Sequence, residues 1–128
     1  MAWEFTETEI CRLSHTEDHA TVDITFDPRI ALYSITMRQT AVAWPDAPSF
    51  QIRFDGPQPF TIATTDHLLS DDGKGLKVQN TGFGNVLDGI ALNTTMTALT
   101  GGTAVSLSTQ TATDPMQAFR ACPTPATS

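Results

Sequence analysis

The chain is poor in charge, in lysine and in cysteine, and each shortage narrows what it can be. Of its 128 residues only 16% are charged, against roughly 25% in ordinary soluble domains. Just two are lysines, Lys74 and Lys77, and 14 acidic side chains against 7 basic ones give a net charge of −7. Affinity for phosphate backbones comes from clustered Lys and Arg that release counterions, so no nucleic-acid partner is expected. An anionic membrane surface would repel the chain as well. No apolar run approaches the roughly 20 residues that span a bilayer, so no membrane insertion is expected. The opening MAWEFTETEICRL has no basic segment followed by an apolar one, which leaves two readings. Either the chain is cytoplasmic and starts at Met1, or it is a mature exported domain, periplasmic or extracellular, that has lost its signal segment. The threonine-rich, lysine-poor composition, the cysteine placement and the loose Pro/Thr/Ser ending favour the second.

Only two cysteines are present, Cys11 and Cys122, and they sit almost at the two ends. That spacing excludes a CxxC redox pair, and two thiols are too few for a cysteine-rich zinc site. Two readings stay open. A Cys11–Cys122 disulfide would close a loop of about 110 residues, for which the chain-entropy account gives about 4 to 5 kcal/mol if the geometry is unstrained. Alternatively, both are buried unpaired thiols of a cytosolic protein.

What the sequence has in quantity is alternation. Thr21 to Phe26 places Val22, Ile24 and Phe26 on one face and Thr21, Asp23 and Thr25 on the other, the mark of a half-buried strand. Asp27, Pro28 and Arg29 turn the chain into a second strand, Ile30 to Met37. The segment WPDAP predicts a loop anchored by Trp44. Ser49 to Phe54 and Pro59 to Thr64 read as a hairpin about Asp55, Gly56 and Pro57. The turn cluster Asp71 to Gly75 leads into a short strand, Leu76 to Gln79. Asn85 is placed to N-cap a helical turn carrying Val86, Leu87, Ile90 and Ala91, which Gly89 weakens. Thr95 to Leu99 pairs with Thr103 to Thr109 across Gly101 and Gly102. A last helix has Asp114 as N-cap and Pro115 at its first position, with Met116 and Phe119 on the face that docks on the sheet and carries Cys122 inward. The expectation is one mainly β domain over 1–122, an antiparallel sandwich or curled sheet of six to eight strands with a short C-terminal helix. A flexible tail is expected at 123–128.

Signals for chemistry are sparse. His15 and His19 are four apart in SHTEDH, the spacing of a helical metal-ligand pair, but the segment is polar and reads better as a solvated loop. His67, beside Asp66, completes the weak metal candidates. Asp71, Asp72 and Gly73 resemble a fragment of a calcium loop but lack its alternating acidic positions and terminal glutamate, so a hairpin turn is the better reading. Asp66 with Asp71 or Asp72 makes a weak acid/base pair, since carboxylates in turns are usually solvated. TGFGN, at 81–85, faintly suggests an anion-binding loop without the Lys or the third glycine of phosphate-binding motifs. No serine stands in a GxSxG elbow. Trp3, Tyr33, Trp44 and Phe83 can either line an exposed binding patch or fill the core.

The outline has a further feature. An aromatic start with an early cysteine (Trp3 to Cys11), a mid-chain Trp44 before a strand ending in Phe54, Asp55 and Gly56, and a closing strand and helix ending in Cys122 together resemble small exported bacterial envelope domains, loosely the invasion-associated locus B family. The resemblance spans most of the chain on short motifs and implies a β-rich periplasmic or surface domain. It supplies no catalytic residue. The functional expectation is a non-enzymatic exported envelope module, without cofactor, that binds a protein or glycan, with Trp44, Tyr33 and Phe83 as candidate contacts. The alternatives are an inhibitor of a basic secreted enzyme, steered by the acidic balance, and a small metal-dependent enzyme.

Overall fold

The computed structural model describes residues 2–122; the tail expected at 123–128 lies outside the described residues. Two antiparallel sheets face each other across one apolar core. The first has six strands: β1 (Glu4–Glu7), β2 (Cys11–Thr16), β3 (Ala20–Asp27), β4 (Leu32–Gln39), β7 (Leu68–Leu69) and β8 (Gly75–Asn80), in the order β1-β2-β3-β4-β8-β7. The second has four: β5 (Phe50–Asp55), β6 (Phe60–Thr64), β9 (Thr95–Thr100) and β10 (Thr103–Ser108), in the order β10-β9-β5-β6. Two helices, α1 (Gly84–Leu92) and α2 (Thr113–Arg120), complete it. The mainly β class and the C-terminal helix are as the alternation predicts. The strands number ten rather than six to eight, because β1, β2 and β7 are too short or too polar to announce themselves.

The pleat explains the core. In the first sheet the register aligns Leu13, Ile24, Ile35 and Val78 in one cross-strand row, and His15, Val22, Met37 and Leu76 in the next. In the second, Leu107, Met96, Phe54 and Phe60 form a row, as do Val105, Ala98, Ile52 and Ile62. Because side chains alternate between faces, these rows point inward together and Thr, Ser and Arg point out.

Local chemistry sets the connections. The β9–β10 hairpin turns on Gly101 and Gly102, with φ of 54° and 84°, the paired positive values a two-residue turn demands. Gly89 lets α1 lie directly on Phe54: a Cβ there would stand 2.5 Å from the ring. The glycine that weakens α1 as an isolated helix is therefore what permits its docking.

Three expectations are corrected. The strand expected from Ile30 starts at Leu32; Ile30 is exposed in the turn, and Ala31 closes that turn at φ 51°. α1 begins at Gly84 behind Phe83 with no side-chain cap, so Asn85 lies inside it. α2 begins at Thr113, which puts Asp114 and Pro115 second and third in the first turn rather than at the cap. Proline is tolerated there because those N–H groups have no intrahelical acceptor. The Met116 and Phe119 face is buried as expected, against β1 and β2.

That docking brings Cys122 to Cys11. The two form a disulfide with Cα atoms 6.5 Å apart, closing a sequence separation of 111. No helix among the described residues is long and apolar enough to cross a membrane.

Candidate functional site

The two flanks of the sandwich end differently. On one, the outer edge of β10 is covered by side chains from the first sheet. Glu17, in the β2–β3 turn, accepts the Ser108 amide proton at 2.8 Å, and the same carboxylate oxygen accepts Nε2–H of His15 at 2.8 Å. The His19 ring donates to the Ser106 carbonyl at 2.7 Å. Trp3 donates its indole N–H to the Ser108 carbonyl at 2.8 Å and stacks on the His15 ring, centroids 5.1 Å apart and planes within 5°. Burial disfavours the Glu17 carboxylate, but the Ser108 amide and His15 outweigh it and hold the group below its ordinary pKa.

His15 is thus not in a solvated loop. It lies on β2, 3% exposed, in a row position otherwise filled by hydrophobes. The period Cys11, Leu13, His15 carries it inward, and the polar neighbours in SHTEDH belong to the outer face and the turn. Its Nδ1 is buried without a hydrogen-bond partner. His67 lies apart from this flank, with Nε2 donating to the Ala47 carbonyl at 2.9 Å and its ring against Phe50. The three histidines do not assemble. Among the described residues, Glu7, Cys11 and Cys122 are the one set of three metal-ligand atoms within 4.8 Å, and two of them are the disulfide.

The other flank is open. β7 covers only Lys77 and Leu76 of β8, so Val78 to Asn80 form a bare sheet edge. Across the gap, Phe60, Ile62 and Thr64 of β6 point inward yet are only partly buried, whereas Phe50, Ile52 and Phe54 of the adjacent β5 are buried. Between them lies a cleft of about 470 Å³ with Ile35, Phe50, Ile52 and Phe83 among its floor and wall residues and Ile62 and Val78 at its sides. Asn80, Gly82 and the first turn of α1, Gly84 to Val86, form part of its lining. None of the lining residues is ionisable.

The candidate aromatics fall on either side of this distinction. Trp44 is 4% exposed, and its indole N–H donates to the Met37 carbonyl at 3.1 Å. It anchors its own loop from below and is no surface contact. Phe83 is buried and lines the cleft; Tyr33, half-buried, stacks on it at 5.5 Å and beside Phe26 at 4.4 Å. Trp3 is buried in the covered flank. TGFGN contributes cleft lining at Gly82, Phe83, Gly84 and Asn85. Asp72, in the suspected calcium fragment, spends its carboxylate on the Ser70 hydroxyl, the Lys74 amide and Arg38, which together push its pKa far down. It organises a turn.

Sequence reasoning did not single out Glu17 as a contact, nor Ile35, Ile52, Ile62 and Val78 as a site. Comparison with protein-family models, curated proteins and solved structures finds no match for this chain.

Proposed function

We propose that this chain is a non-enzymatic binding module of an oxidising compartment, the periplasm or the extracellular space, and that it binds at the open cleft between β6 and β8. The observation that carries the reading is the contrast in burial along β6. Inward-facing side chains on an edge strand are normally buried by the opposing sheet, but Ile62 and Thr64 are left partly wet over a preformed, largely apolar cavity. A cavity of this size falls within the range that takes small ligands. The disulfide supports the compartment, since such bonds persist where thiols are not kept reduced. The burial of Trp44 moves the binding site away from the exposed anchor that a protein or glycan partner would use.

Two measurements test this. Thiol counting on denatured, non-reduced protein is expected to find none free at Cys11 and Cys122; two free thiols sink the exported reading. An NMR titration with small fragments of mixed charge and polarity is expected to shift amides of Ile62–Thr64, Val78–Asn80 and the start of α1. Shifts concentrated along β10 instead would put the site on the wrong flank.

A further inference from the structure

We infer that the cleft selects a neutral, predominantly apolar small molecule and rejects charged ones of the same shape; this rests on the cleft being the binding site. The floor and sides are Ile, Val and Phe from both sheets, so the body of the ligand must be hydrocarbon or aromatic. No Asp, Glu, Lys, Arg or His lines the space. A charged group carried inside would lose its hydration with no ionised side chain to replace it; for an anion the uncapped first turn of α1 offers only backbone amides, a small return against the burial of a full charge. The net charge of −7 adds a long-range term against anions. Cations are drawn toward the protein by that same field, but they meet no carboxylate inside the cleft. The five arginines are already engaged at the surface, Arg12 with Asp23, Arg29 with Asp27, Arg38 with Asp72, Arg53 with Asp55 and Arg120 with Asp88. What the lining does offer is uncharged hydrogen bonding, from Asn85 and from the donor groups of Asn80 and Thr64, whose side-chain oxygens already accept the Gly82 and Asp66 amides. These suit one hydroxyl or carbonyl group on an otherwise apolar molecule.

A matched series separates charge from shape: 2-(2-naphthyl)ethanol, 2-naphthylacetate and 2-(2-naphthyl)ethylammonium, each titrated into the intact disulfide-bonded protein and followed by NMR. The alcohol is expected to shift cleft amides and to bind at least about tenfold more tightly than either ion, the scale set by an uncompensated charge. Ile62→Trp, which fills the cleft from one wall, is expected to weaken the alcohol about tenfold or more. Val78→Trp does the same from the other wall and serves if the first variant fails to fold. Three heads of equal affinity, all shifting cleft amides, overturn the neutral selectivity while leaving the binding site standing. No cleft shift with any of the three overturns both. Unchanged alcohol affinity in a folded Ile62→Trp or Val78→Trp protein overturns the placement.

Discussion

The two flanks of one sandwich solve the same problem in opposite ways. Both end in short edge strands with unpaired backbone groups, the usual liability of an open sheet. At β10 the edge is sealed by Trp3, Glu17 and His19, which cross from the first sheet to the Ser106 and Ser108 backbone. At β6 no side chain among the described residues crosses by a hydrogen bond, and the space is left as an apolar cleft. The sealed flank uses ionisable groups and gains cross-sheet ties that depend on pH. The open cleft has no ionisable residue in its lining, gives up packing, and keeps a cavity. On the proposed reading, stability and binding capacity are divided between the two sides, as expected where a site must remain incompletely packed in the free protein.

Breaking the sealed flank should have the largest effect. Trp3 is 4% exposed, stacks on His15 and reaches across to Ser108, so Trp3→Ala is expected to cost about 3 to 5 kcal/mol in urea unfolding. The cleft should keep its ligand in whatever fraction remains folded. A loss of 1 kcal/mol or less, about the value of a surface change, would mean that the seal contributes little.

Glu17→Gln tests the electrostatic part. One carboxylate oxygen serves both His15 and Ser108, and hydrogen bonds to a charged group are each worth about 1.5 to 3 kcal/mol. Because glutamine keeps one acceptor, the expected loss at pH 7 is about 1 to 2 kcal/mol. The sign of the pH dependence follows from the lowered pKa of Glu17 in the folded state. Its contribution is fully present above the ordinary glutamate value of about 4.3 and is lost as the pH falls through the lower folded value. Wild type and Glu17→Gln should therefore converge in thermal stability on acidification. A gap that stays constant from pH 7 down to about 2.5 would remove Glu17 as the acid-sensitive tie.

The open flank should respond less to truncation. Ile62 is only partly buried, so Ile62→Ala is expected to cost about 1 to 1.5 kcal/mol, below the usual range for a fully buried isoleucine. The same change should enlarge the cleft and weaken small ligands. A cost of 3 kcal/mol or more would show that the wall is packed in solution and the cleft closed.

The sequence carried the sealed flank and the open one unequally. Strands such as Thr21–Phe26 are legible because one face is apolar and the other polar, and the staple is legible as one of two readings because the apolar face at Met116 and Phe119 has to dock and carries Cys122 with it. His15 was misplaced because a histidine inside an apolar row looks, in one dimension, like the polar turn that follows it. The cleft was invisible for a different reason. Ile62 and Val78 alternate as core residues should, and only the short reach of β7 over β8 leaves them uncovered. That is a property of strand order between distant segments and has no local signal.

The smallest expected effect provides the control. The β3–β4 turn lies at the other end of β3 from the sealed turn and makes no tie to the second sheet among the described residues. Its order is local: Asp27 accepts the Arg29 amide and side chain, and Ala31 takes φ 51° to close it. A non-glycine residue in that region costs roughly 1 kcal/mol. Ala31→Gly relieves the cost but gives back about 0.4 to 1 kcal/mol through the greater freedom of the unfolded chain. The net change should be a stabilisation no greater than about 0.5 kcal/mol, a melting shift within about 2 °C. The acid limb of the stability curve and the ligand affinity should both be unchanged, since neither flank is touched. If Ala31→Gly shifts the acid limb as Glu17→Gln does, the two ends of β3 are coupled, and the division of labour between the flanks does not hold.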